Sequence, residues 1–121
     1  DLARHLVKNY AIEAMCDISD GFILDLSRLC KESDVSATID TQAIPISRQA
    51  IELSKRTGKS PLFHAMYDGE DYELIVISPD RIKELRCVGR ICDGRAGEIR
   101  TVDNKKVKIT GYEKTFDNEN S

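Results

Sequence analysis

Residues 12–30 constrain the fold most, because their apolar period changes once, at a single dipeptide. Ile12, Ala14, Cys16 and Ile18 fall on one side of an alternating run, with Met15, Asp17 and Ser19 on the other. That is the two-residue period of a strand with one buried face. Asp20-Gly21 ends the alternation, and Phe22, Leu26, Leu29 and Cys30 then recur at helical spacing. Asp20 stands where an N-cap is expected, and Ser33-Asp34 closes the helix. A strand turning this abruptly into a helix sets polar groups of the strand end beside the helix N-terminus.

The remaining chain reads in the same terms. Leu2, Leu6, Val7 and Tyr10 predict an amphipathic opening helix. A short strand is expected over 37–39, and Ile44-Pro45-Ile46 is extended because a residue before Pro is pushed out of the helical region. Ser47 caps a third helix that stops at Thr57-Gly58-Lys59. Ser60-Pro61 starts a fourth, with Leu62, Ala65 and Met66 inward. After the polar turn 68–71, residues 72–77 form an apolar run typical of a sheet centre. A short helix over 81–85, strands over 88–92 and 98–101, a hairpin at Asp103-Asn104 and a strand over 107–109 complete the reading. This order predicts an α+β fold, an α/β sandwich with a mixed sheet and packed helices. One domain is expected over 1–116, with a polar, disordered tail over 117–121.

Composition narrows the function classes. At 121 residues the chain fits one core but is small for a complete ATP-using enzyme. It opens on Asp1, without an initiator Met and already inside an amphipathic pattern, so it is expected to lie within a longer gene product. A net charge of -3 with scattered basic residues gives no reason to expect nucleic acid; the local run Lys105, Lys106, Lys108 reads as the solvent side of a hairpin strand. No apolar run approaches the ~20 residues of a membrane helix. Cys16, Cys30, Cys87 and Cys92 form no Cys-x-x-Cys pair, and His5 and His64 lie near none of them. Free thiols in a reducing cytoplasm are expected, rather than a zinc site.

Two acidic clusters stand out. Asp17, Ser19 and Asp20 bring oxygen-bearing side chains to one strand end, where two carboxylates repel unless a cation separates them. Mg²⁺ suits such a site, since it takes one or two carboxylates plus substrate phosphates, and the helix N-terminus favours anionic groups. The alternative is that Asp20 only caps the helix while Asp17 is exposed. The second cluster, Asp68, Gly69, Glu70, Asp71 and Tyr72 with Glu73, precedes the apolar strand. It is either a loop that pins a cationic or amine-bearing ligand or a solvated acidic turn.

Taken together, Asp17-Ile18-Ser19-Asp20-Gly21 and, about fifty residues later, Asp68-Gly69-Glu70-Asp71-Tyr72-Glu73-Leu74 resemble the signature pair of thiamine-monophosphate kinases. Leu24-Asp25-Leu26, Ile44-Pro45-Ile46 and Gly111-Tyr112 with Phe116 resemble further family text, so the likeness runs from Leu2 to Phe116. The resemblance implies a fold like the C-terminal domain of the aminoimidazole-ribonucleotide-synthetase superfamily. It implies Mg²⁺-dependent, direct in-line transfer of the ATP γ-phosphoryl group to thiamine monophosphate, giving thiamine diphosphate. By motif position Asp17 and Asp20 would bind Mg²⁺, Ser19 would touch ATP, and Glu70 would contact the substrate. Phe116, or in second place Tyr112, would pack on the substrate ring. No protein base is expected, because the acceptor phosphate is already ionised. The family's N-terminal domain, which carries most nucleotide contacts, is absent from this sequence, so the chain is expected to be inactive alone, and the full-length protein is expected to be a homodimer. Departures are Phe22 for the usual Leu, Asp68 for the commoner Gly, and one extra residue before Phe116. Related chemistries of the superfamily, selenophosphate synthesis or hydrogenase maturation, usually lack this text. A non-catalytic domain that binds a phospho-ligand or a partner is the alternative from another class.

Overall fold

The computed structural model describes residues 1–68 and 73–109. The expected substrate-contacting residues Glu70, Tyr112 and Phe116 lie outside the described residues, as does the segment 117–121. In chain order the elements are α1 (Leu2–Asn9), β1 (Ala14–Asp17), α2 (Phe22–Glu32), β2 (Ser36–Ile39), a 3₁₀ turn (Thr41–Ala43), α3 (Arg48–Thr57), α4 (Pro61–Tyr67), β3 (Leu74–Ile77), β4 (Gly89–Cys92) and β5 (Ile99–Thr101).

The fold is α+β. β1 pairs antiparallel with β3, with Ala14 opposite Ile77 and Asp17 opposite Leu74. A three-stranded mixed sheet has the order β4-β2-β5, with β2 antiparallel to β4 and parallel to β5. α2 packs against β1, β2 and α4 and supplies Phe22, Ile23, Leu26, Leu29 and Cys30 to the core. Ala37 and Ile39 of β2 and Ile99 of β5 meet them from the sheet, while Ile18, Met66 and Ile75 close the core beneath the two-stranded pair. Fully burying each such side chain stabilises by about 1.5–3 kcal/mol, so α2 is the organising element. All four cysteines are free thiols, and burial pushes the Cys30 thiol up to about 11.

Local chemistry explains where most helices start and stop. The side chains of Asp1, Ser47 and Ser60 accept hydrogen bonds from the backbone N–H groups of Arg4, Ala50 and Phe63, respectively. Gly58 ends α3 in the left-handed conformation.

Four expectations are corrected. The cap of α2 is Gly21, not Asp20, and makes no side-chain capping bond. Residues 81–85 form a turn rather than a helix. Side-chain bonds tie this turn to the end of α1: Asp80 accepts from the Ala11 N–H (2.8 Å), and Glu84 accepts from the Tyr10 hydroxyl (2.6 Å) and contacts His5. β3 is no sheet centre among the described residues, where its one partner is β1. Residues 107–109 make no strand; a single bridge, Arg100 to Lys106, and the bond from Val107 N–H to Ile99 O hold them to β5. The opening helix forms, but of its apolar stripe Leu6 is buried while Leu2 and Val7 are exposed.

Candidate functional site

The β1–β3 pairing carries both acidic motifs to the same end of one ladder. One step beyond the Asp17–Leu74 pair, the Ile18 N–H donates to Glu73 O (2.9 Å). Ile18 is buried, so the strand alternation sends Asp17 and Ser19 the other way, and both are exposed. Glu73, the last residue of the second motif before β3, is exposed at the same place.

Gly21 makes the second junction. It holds φ +109° and ψ 147°, and a Cβ there would lie 2.5 Å from the carbonyl oxygen of Tyr67 at the end of α4. The residue that starts α2 thus lies on the residue preceding Asp68, and the two motifs touch. That backbone region is available to glycine and costs other residues about 1–3 kcal/mol. Gly21→Ala is expected to destabilise the protein by at least that amount, read as a lower denaturant midpoint at unchanged slope. An unchanged midpoint would show that this junction is loose.

Between the junctions, Asp25 organises the loop. Its side chain is buried, and Oδ2 accepts from the N–H groups of Ser19 (2.7 Å) and Asp20 (2.9 Å). A carboxylate removed from water requires such partners. Sequence reading placed Asp25 only within a stretch of family likeness and missed this role. The available signal was its spacing: Phe22, Asp25, Leu26 and Leu29 form one helical stripe, so a carboxylate sits among buried apolar groups.

The Asp20 carboxylate is not alone. Arg28, two turns along α2, places Nη1 2.6 Å from Asp20 Oδ2 and 3.5 Å from Asp25 Oδ1. The side chains of Arg28 and Asp20 are 55% and 51% exposed, so the pair is a surface contact that contributes at most about 1 kcal/mol. The local field is negative further in: burial first, then Asp25, Asp17 and Glu32, push the Cys16 thiol up. Among the described residues no group of three or more His, Cys, Asp or Glu side chains could hold a metal ion. The donor set still fits a hard divalent cation that takes one or two carboxylates and completes its shell with water and phosphate oxygens. Asp17 and Asp20 are exposed on one short segment, and the Arg28 guanidinium is a cation already seated on Asp20.

Asp68 faces inward to His64. The buried His64 contacts the Asp68 carboxylate through Nδ1 and the Thr57 hydroxyl through Nε2 (2.7 Å). The extra carboxylate of the second motif, one residue past α4, is therefore paired with His64, which also contacts Thr57 at the end of α3. The i,i+4 spacing of His64 and Asp68 was the signal for it.

The family described as AIR synthase related protein, C-terminal domain, matches residues 1–95. The chain belongs to that family. Within it, the chain is similar to the thiamine-monophosphate kinase of Rhodopirellula baltica, at 33% identity over 96% of this chain and 38% of that protein. It is similar to the thiamine-monophosphate kinase of Aquifex aeolicus at 33% identity, over 93% of this chain and 36% of that one. The solved structure of AaThiL complexed with AMPPCP and TMP superposes with a TM-score of 0.75 at 30% identity, covering 93% of this chain and 36% of that one. Hydrogenase maturation protein HypE in complex with ATP shares the fold alone, with a TM-score of 0.70 at 17% identity over 91% of this chain and 39% of that one. This AIR-synthase-related domain thus spans a little over a third of the length of the kinases it matches. The likeness to the C-terminal domain of thiamine-monophosphate kinases, which the paired motifs implied, holds over almost the whole sequence. Among the described residues no helix is long and apolar enough to cross a membrane.

Proposed function

We propose that this chain is the C-terminal part of a kinase that transfers the γ-phosphoryl group of ATP to thiamine monophosphate, giving thiamine diphosphate. The observation that carries the reading is the meeting of the two acidic motifs through the Gly21–Tyr67 and Ile18–Glu73 contacts. In this reading one cluster serves the cation-bound phosphates and the other orients the acceptor. The similarity to named thiamine-monophosphate kinases supports the substrate.

In this reading Asp17 and Asp20 hold Mg²⁺, and Ser19 contacts ATP. Mg²⁺ supplies charge neutralisation between two phosphate groups that otherwise repel. The protein's share is alignment: Asp25 fixes the Ser19 and Asp20 main chain, and Gly21 lets that loop sit against α4. No side chain need take a proton, because the attacking phosphate oxygen is ionised at neutral pH. Glu70 and an aromatic near the C-terminus, Phe116 before Tyr112, complete substrate binding. Residues 1–116 act as one domain, with 117–121 as a tail, joined to an N-terminal domain that binds most of the nucleotide. The whole protein is a cytoplasmic homodimer.

The test is an ATP- and Mg²⁺-dependent assay of the full-length protein with thiamine monophosphate as acceptor. Thiamine diphosphate should appear, and chelation of divalent cations should abolish it. The 121-residue chain by itself is expected to show no measurable conversion. Robust turnover by it would refute a site shared between two domains, and none by the full-length protein would leave a ligand-binding domain as the function.

A further inference from the structure

We infer that Tyr67 is a positioning residue for the acceptor: it ties the meeting point of the two acidic motifs to the segment that leads into the C-terminal aromatics Tyr112 and Phe116. The inference rests on the kinase reading above and adds a residue to it.

Tyr67 meets a different segment at each end. Its carbonyl oxygen lies where a Cβ on Gly21 would come within 2.5 Å, so its main chain abuts the end of the first motif. It is the last residue of α4, and Asp68, which opens the second motif, follows it directly, its N–H donating to His64 O (3.1 Å). At the other end, the Tyr67 hydroxyl donates to the carbonyl oxygen of Lys108 (3.0 Å), 41 positions along the chain. The ring that joins these ends is held in place. It is partly buried against the core and meets the Phe63 ring, one turn back, at a centroid distance of 4.9 Å. One residue before Lys108, Val107 is buried and its N–H donates to Ile99 O (2.8 Å). Residues 107 and 108 are therefore fixed from two sides, to β5 and to α4, and the chain passes Ile109 on a course set relative to both motifs. An aromatic that packs on the acceptor from the stretch beyond then has less ordering to undergo on binding. A group that touches no substrate raises affinity in this way.

Steady-state kinetics of the full-length protein, varying thiamine monophosphate and ATP in turn, test this. Tyr67→Phe keeps the ring and removes the hydroxyl. Loss of one hydrogen bond should raise KM for thiamine monophosphate about two- to tenfold. Both kcat and KM for ATP should stay within about twofold of wild type, the split that marks lost binding of one substrate. A shift of both KM values together with a lower denaturant midpoint would show a merely structural role and overturn the inference. Tyr67→Phe is also made in a Tyr112→Ala, Phe116→Ala background, where it should add less than about twofold. Its full effect persisting there would show that Tyr67 does not act through the C-terminal stretch, which equally overturns the inference. An unchanged KM for thiamine monophosphate in Tyr67→Phe, with wild-type turnover present, would overturn it and leave the kinase reading standing. Absence of wild-type turnover would remove both.

Discussion

Asp20→Asn in the full-length protein is expected to lower turnover on the order of 10²–10³-fold, the scale of losing one charge-stabilising group in a reaction centre. Stability should move by no more than about 0.5 kcal/mol, as for other surface changes. The contrast follows from where Asp20 sits. Its side chain is 51% exposed, it caps nothing, and among the described residues its ion pair is the surface contact with Arg28. The fold asks little of this carboxylate, whereas phosphate-to-phosphate transfer asks a good deal of it. Steady-state kinetics with thiamine monophosphate and a denaturant melt on the same preparation check both halves. Near-normal turnover would remove Asp20 from the reaction centre.

Asp25→Ala should damage both properties. It strips the acceptor from two main-chain N–H groups, at a cost of about 1–3 kcal/mol, and frees the Ser19–Asp20 segment. Misplacement of reacting groups by about 1 Å costs on the order of 10²-fold in rate. Asp25→Asn separates the two effects. The amide oxygen still accepts from Ser19 and Asp20, but the amide nitrogen becomes a donor facing Arg28. The Asn variant should retain most of the stability while remaining slower than wild type. Equal behaviour of the Ala and Asn variants would show that the negative charge, not the shared acceptor, is what the loop needs.

The elements set by neighbours in sequence were legible. The alternation before Asp20, the stripe after Gly21, the serine caps of α3 and α4 and the Gly58 stop each depend on a few adjacent residues. Features decided by distant partners were not. Asp20 does not cap α2: its carboxylate meets Arg28 instead, and Gly21, lying against Tyr67, takes the cap position. Residues 81–85 form a turn, tied through the Asp80 and Glu84 carboxylates to the distant end of α1. The apolar text of 72–77 suits a doubly covered strand, yet the described partner of β3 is β1 alone. In the site, the strand alternation that leaves Asp17 and Ser19 exposed beside the buried Ile18 was legible. The roles of Asp25, Arg28 and His64 arise only once α2 and α4 are folded, since each acts across a helical turn or between elements.

The pairing of β1 with β3 has a consequence for how the protein is assembled. Its strands are separated by α2, β2, α3 and α4, so closing this ladder joins residues more than fifty positions apart. Such long-range closure bears a loop entropy that nearby contacts do not, which favours late formation. The junction of Ile18 with Glu73 is thus expected to close only once a nearly finished core can hold the two strands together.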